Sequence, residues 1–212
     1  ARVAKKLDSL LIHFSTDYVF NGFKIQAYKE TDKCNPLNVY GETKRKGELA
    51  ILESNCKCLI LRTGWVYSHL RSNFLLTILK LASSKRTIKV VDDQFGSPTS
   101  TEQISLACLE FTKKYLKGDI NEFGLFHLSA LGKTNWYGFA LEILDQAEKL
   151  DFDFILSKEN IVPVTSEEYG AKAIRPKNSF LDVSKILSHF DVDLFTWQDE
   201  LSKVLKKVDL NR

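Results

Sequence analysis

Tyr40 and Lys44 stand four residues apart in a stretch, Val39–Glu53, whose apolar positions Leu49 and Leu52 recur at helical spacing. Residues i and i+4 share a helix face. The Lys44 ammonium would therefore lie beside the Tyr40 phenol, favour its phenolate and lower a reference pKa of about 10. A tyrosine tuned in this way exchanges a proton near neutral pH, as carbonyl reduction requires. Thr16 lies upstream, just beyond a short apolar run, Leu10–Phe14, and a hydroxyl there would polarise the same carbonyl oxygen. A third polar run, Arg62-Thr63-Gly64-Trp65, closes the next apolar stretch. The pair alone is a weak signal: roughly one Tyr-x-x-x-Lys is expected by chance from the composition. An exposed Tyr–Lys pair on a solvated helix face is the ordinary alternative.

The elements that would position these residues alternate. Residues Ala1–Ser9 read as the end of a helix, with Val3, Ala4 and Leu7 at helical spacing, and Leu10–Phe14 as a buried parallel strand ending in Ser15-Thr16-Asp17. A turn-rich loop follows over 21–38, then the helix Val39–Glu53 and a strand over Cys58–Val66. Phe74–Ser83 is helical, Ile88–Val91 a short β-branched strand, and Asp92–Thr101 a loop carrying Gly96-Ser97-Pro98-Thr99. Thr101–Lys117 is strongly amphipathic, with Ile104, Ala107, Cys108, Phe111 and Tyr115 on one face. Beyond it come a strand at Leu125–Leu128, a helix at Asn135–Leu150, a strand-like Phe154–Leu156, a loop through Pro176 and a final helix near Trp197–Val208. Strand–helix alternation over the first 130 residues or so predicts an α/β fold with a parallel sheet, whose sites lie at strand C-terminal ends.

Composition narrows the classes. Of 212 residues, 44% are hydrophobic and 27% charged, which excludes a disordered chain and allows one domain or a domain with a small lobe. Thirty Lys and Arg against 27 Asp and Glu leave a net charge of +3 with no basic stripe, so no nucleic-acid partner is expected. No apolar run approaches the roughly 20 residues of a membrane-spanning helix. Ala1–Lys6 lacks the apolar stretch of an export signal. Cys34, Cys56, Cys58 and Cys108 form no zinc-binding pattern with the scattered His13, His69, His127 and His189, so no metal is expected and reduced thiols fit a cytoplasmic protein. The chain contains no Met and opens on a helical pattern, as a part of a longer protein would.

Six blocks carry a resemblance: Phe14–Gly22, Pro36–Lys44 with Gly47-Glu48, Leu61–Tyr67, Asp93–Thr99, Phe126–Leu128 and Arg175–Ser179. In this order they resemble the extended short-chain dehydrogenase/reductase superfamily and, within it, the dTDP-4-dehydrorhamnose reductase family. The resemblance implies a truncated Rossmann-like parallel sheet with a smaller C-terminal substrate-binding lobe. Residues 1–67 would be the catalytic part of the NAD(P)-binding domain and 68–212 mainly the lobe, with segments near 101–130 returning to the sheet. It further implies reduction of the C4 ketone of a dTDP-4-keto-6-deoxy sugar, giving dTDP-L-rhamnose for cell-surface polysaccharide, with NADPH or NADH as cofactor. Thr16, Tyr40 and Lys44 would be catalytic; Phe14, Tyr40 and Lys44 would meet the cofactor; Thr16, Asp17, Trp65 and Arg175 would meet the sugar nucleotide. His127 reads instead as a satisfied core residue. The resemblance leaves room for a homodimer.

One family feature is missing from these residues. No Gly-x-x-Gly-x-x-Gly turn occurs, the element that cradles a cofactor pyrophosphate. About three strand–helix units, on the order of 90 residues at roughly 30 per unit, would precede the resemblance. Two alternatives stay open at this point: a non-catalytic regulatory or binding relative, and a reductase of another 4-keto-6-deoxy sugar nucleotide.

Overall fold

The computed structural model describes residues 1–209 except 121 and 172. In chain order these form α1 (Arg2–Lys6), β1 (Leu11–Thr16), α2 (Val39–Glu53), β2 (Cys58–Thr63), β3 (Val66–Tyr67) and α3 (Phe74–Ala82). Next come β4 (Ile88–Val91), β5 (Phe95–Gly96), β6 (Thr99–Ser100), α4 (Thr101–Lys117), β7 (Gly124–His127) and β8 (Thr134–Asn135). The chain then forms α5 (Trp136–Glu148), β9 (Ile161–Val164), α6 (Ser184–His189) and α7 (Trp197–Leu205).

A parallel sheet of order β1–β2–β7 sits at the centre of the site-bearing half. All six residues of β2 are buried, as a strand covered on both faces requires. The register sets Thr16 abreast of Thr63, so β1 and β2 release the chain side by side at their C-terminal ends. After β1 a 3₁₀ turn runs over Asp17–Val19; after β2 the chain turns at Gly64-Trp65. The helix α2 begins where the Asn38 side chain accepts the Gly41 N–H at 2.9 Å, a capping bond that satisfies one of the free donors of the first turn. That turn rides directly on the chain leaving β1. A Cβ on Gly41 would stand 2.1 Å from the Tyr18 carbonyl oxygen, so only glycine permits the approach.

Two hydrophobic clusters flank this region. One joins Leu59, Leu61, Phe126 and Leu128 of the sheet region to Ile104, Ala107 and Phe111 of α4 and to Ile186, Phe190, Val192 and Leu194. The other packs α3, α5 and α7 around β4 and β9, through Leu75, Leu79, Phe139, Leu144 and Leu201. Thus α4 and the segment around α6 both pack against the sheet.

Five expectations are corrected. The strand beginning at Cys58 stops at Thr63 rather than Val66, because Trp65 adopts φ +52° and breaks the ladder; β3 pairs with β6 instead. Phe154–Leu156 is not a strand: the N–H groups of Ile155 and Leu156 both bond to the Ala82 carbonyl at the end of α3. The strand of that region is β9, in the segment read as loop, and it pairs in parallel with β4 despite Pro163. Finally, α6 lies where no helix was expected, and the expected loop 92–101 contains β5 and β6.

Candidate active site

A cavity of about 930 Å³ opens between the two clusters, at the C-terminal ends of β1 and β2. Phe14, Thr16, Asp17, Tyr40, Lys44, Trp65 and Arg175 all line it. Seven residues spread over 162 positions therefore meet in one space. Two of them are supplied by α2, four by the ends of β1 and β2, and Arg175 by the segment between β9 and α6.

Each is held by a specific bond or contact. Lys44 Nζ donates to the Phe14 carbonyl oxygen at 2.8 Å, which ties α2 to β1. Tyr40 is about half exposed (53%), and its ring meets the Tyr18 ring edge-on at 5.9 Å. Burial and the neighbouring Asp17 push the Tyr18 phenol up to about 12, so Tyr18 stays protonated. Thr16 Oγ1 accepts the Tyr18 N–H at 3.2 Å and donates to Asp17 Oδ1 at 3.0 Å. Asp17 is fully buried, which raises its carboxyl to about 6 against hydrogen bonds from Ser179 and Thr16 that favour ionisation. Gly64 makes room for it: a Cβ there would fall 2.3 Å from Asp17 Oδ2. Arg175 is placed through its neighbour, since Asn38 Nδ2 donates to the Ile174 carbonyl at 2.9 Å. The helix cap thus also anchors the strap that carries the arginine.

The opposite wall is apolar and aromatic, formed by Phe74, Ile78, Leu81, Ile88, Val90 and Trp136 among others. Trp65 and Trp136 stack with centroids 3.6 Å apart and planes 1° from parallel. Their indole N–H groups are both engaged, Trp65 with Ser179 Oγ and Trp136 with Gln94 Oε1, each at 3.2 Å. Trp136, Tyr18 and Tyr169 were not among the residues singled out from sequence. Trp136 heads a helix whose spacing only marks a core face, and Tyr18 stands inside a quoted block without a role of its own. His127 does not line the cavity. It is buried, its Nδ1 lies 3.2 Å from the Asp182 carbonyl, and burial lowers its pKa to about 3, which keeps it neutral.

One side of the cavity therefore carries a phenol, a hydroxyl, an ammonium and a buried carboxyl; the other excludes water from a flat or apolar group. Such a space can deliver a proton to an oxygen held against the polar side. Among the described residues no group of three or more His, Cys, Asp or Glu is placed to hold a metal ion, and no helix is long and apolar enough to cross a membrane.

Known proteins share this architecture. The model of the RmlD substrate binding domain matches residues 1–210. The dTDP-4-dehydrorhamnose reductase of Escherichia coli K12 is 39% identical over 208 residues, 98% of this chain and 69% of that protein. The crystal structure of a dTDP-4-dehydrorhamnose reductase from Clostridium acetobutylicum superposes with a TM-score of 0.84 at 31% identity, covering 97% of this chain and 68% of the other. The reductase of Bacillus anthracis, solved in complex with NADP, gives a TM-score of 0.83 at 30% identity with the same coverage. The chain belongs to the RmlD substrate binding domain family, that of the dTDP-4-dehydrorhamnose reductases.

Proposed function

We propose that this chain carries the site for NAD(P)H-dependent reduction of the C4 ketone of dTDP-4-dehydrorhamnose, giving dTDP-L-rhamnose. The observation that carries the reading is the meeting of Tyr40, Lys44 and Thr16 at one cavity. Tyr40 gives its phenolic proton to the oxygen of the reduced carbonyl. Lys44 holds a cofactor ribose, with its ammonium already steadied by the Phe14 carbonyl. Thr16 shares the hydrogen bond to the same oxygen, while Asp17, Trp65 and Arg175 hold the sugar nucleotide. Arg175 suits a pyrophosphate, because a guanidinium offers paired donors to phosphate oxygens.

The donor set fits a nicotinamide riboside. Lys44 uses one of its three ammonium donors on Phe14, at the same cavity as the half-exposed Tyr40 phenol. Phe14, Tyr40 and Lys44 would hold that end of NADPH or NADH, which supplies the hydride when bound. In this reading residues 1–67 form the catalytic part of the cofactor domain. Residues 68–212 form mainly the substrate lobe, with α4 and its surroundings returned to the sheet. Four free thiols suit the reducing cytoplasm.

The experiment is reduction of the dTDP-4-keto sugar by the purified gene product, followed by the loss of reduced-nicotinamide absorbance. Turnover with NADPH or NADH is expected. No turnover with either would overturn the reading.

A further inference from the structure

Directly behind the cavity wall lies a buried ion pair that the proposed chemistry does not use. Glu48 of α2 and Arg62 of β2 both have fully buried side chains. Glu48 accepts from Arg62 Nε and Nη2, each at 2.8 Å, from Ser15 Oγ at 2.5 Å and from Arg45 Nη1 at 2.8 Å. These donors hold its carboxyl below the usual carboxylate range although burial acts the other way. Arg62 is further fixed by a 3.1 Å contact from Nη2 to Cys34 Sγ and by its seat over the Phe20 ring, 5.0 Å from the centroid.

Stability alone does not call for such a pair. Desolvating two charges consumes most of their attraction, and an apolar pair of similar volume would hold the core as well. The distinctive product of the pair is registry. Glu48 lies one turn beyond Lys44 and two turns beyond Tyr40 on the same helix. Ser15 precedes Thr16 in β1, and Arg62 precedes Thr63, the residue abreast of Thr16. One carboxylate therefore joins the helix bearing the phenol and ammonium to both strand ends that face them.

We propose that Glu48 is a positioning residue, which with Arg62 and Ser15 fixes the placement of Tyr40 and Lys44 relative to Thr16. The proposal rests on the catalytic reading of those three side chains. A misplacement of the order of 1 Å between reacting groups costs about 10²-fold in rate, and beside this multiply bonded carboxylate Lys44 gives β1 one hydrogen bond, to Phe14.

The test replaces the pair by apolar residues, Glu48→Leu with Arg62→Met, in the whole gene product. The denaturation midpoint, amide exchange over residues 38–46, kcat and KM are then measured. We expect a midpoint close to wild type, faster exchange in the first turns of α2 with α5 unchanged, and kcat lowered by about 10²-fold. KM for the keto sugar should stay within about threefold, the split expected when geometry in the transition state is lost and binding is kept. Unchanged exchange together with kcat within about twofold of wild type would overturn the proposal. Should the double variant fail to fold, Ser15→Ala removes one donor alone. It should lower kcat by about three- to tenfold at constant KM, the loss of roughly one hydrogen bond, and undiminished kcat would overturn the proposal. Absence of turnover in the wild type would instead defeat the proposed reaction, and the exchange of α2 would then decide the positioning role by itself.

Discussion

At the scale of single residues, Asp17 and His127 set opposite pH dependences. The Asp17 carboxyl rises from its ordinary 3.8 to about 6 on folding because it is buried. The folded state thus holds the extra proton between those values. Its contribution is full below about pH 4 and is lost as the pH rises through 6. Burial lowers His127 from 6.5 to about 3, so the unfolded chain takes that proton first. Its contribution is full above pH 6.5 and is lost as the pH falls. From pH 6 to 4 these two slopes oppose one another. Asp17→Asn removes one of them, and the variant should lose about 1.4 kcal/mol per pH unit relative to wild type across that window. Urea midpoints at pH 4.5, 5.5 and 6.5 check this; parallel curves for variant and wild type would show that Asp17 does not titrate there.

At the scale of elements, α2 decides where Tyr40 and Lys44 stand, and two anchors of its first turn can be perturbed separately. Gly41→Ala places a methyl group against the Tyr18 carbonyl, 2.1 Å from its oxygen, so the first turn must move. We expect kcat to fall by about 10- to 100-fold through lost alignment and stability to drop by about 1–3 kcal/mol, because the clash is with backbone; an unchanged kcat would show that the turn tolerates the shift. Asn38→Ala removes the cap and the bond to Ile174, and should cost about 1 kcal/mol of stability. KM should rise as the Arg175 strap loosens, measured by steady-state kinetics beside urea denaturation. The bounds of α2 were legible in the sequence, since Leu49 and Leu52 mark its period. By contrast β9 was not, because Pro163 removes a ladder donor and its four residues alternate too briefly to show a period. Phe154–Leu156 looked like a strand because it is apolar, yet its backbone is held by the end of α3. The seven residues expected at the site came from motif blocks, and all of them line the cavity. The role of Glu48 was invisible because its partners, Ser15 and Arg62, are brought to it only by the fold.

At the scale of the whole molecule, the cavity between two separately packed clusters sets a polar, hydroxyl-bearing side against an aromatic wall. The 212 residues contain no glycine-rich turn to cradle a pyrophosphate, and β1 is bonded to a neighbouring strand on one side only among the described residues. Expressed by itself, this chain should bind NADPH weakly, because backbone N–H groups at such a turn supply much of dinucleotide affinity. Calorimetric titration checks this, and micromolar binding would mean that the chain holds the cofactor by other groups. In the proposed reaction the cavity reduces a keto sugar with Tyr40 as proton donor. Its most direct test is single-turnover reduction of dTDP-4-dehydrorhamnose by the gene product and by Tyr40→Phe, with cofactor affinity measured in parallel. Hydride transfer is expected in the wild type, with a loss of about 10²- to 10⁴-fold in the variant at similar cofactor affinity. A Tyr40→Phe protein that reduces the ketone at the wild-type rate would contradict this role for Tyr40.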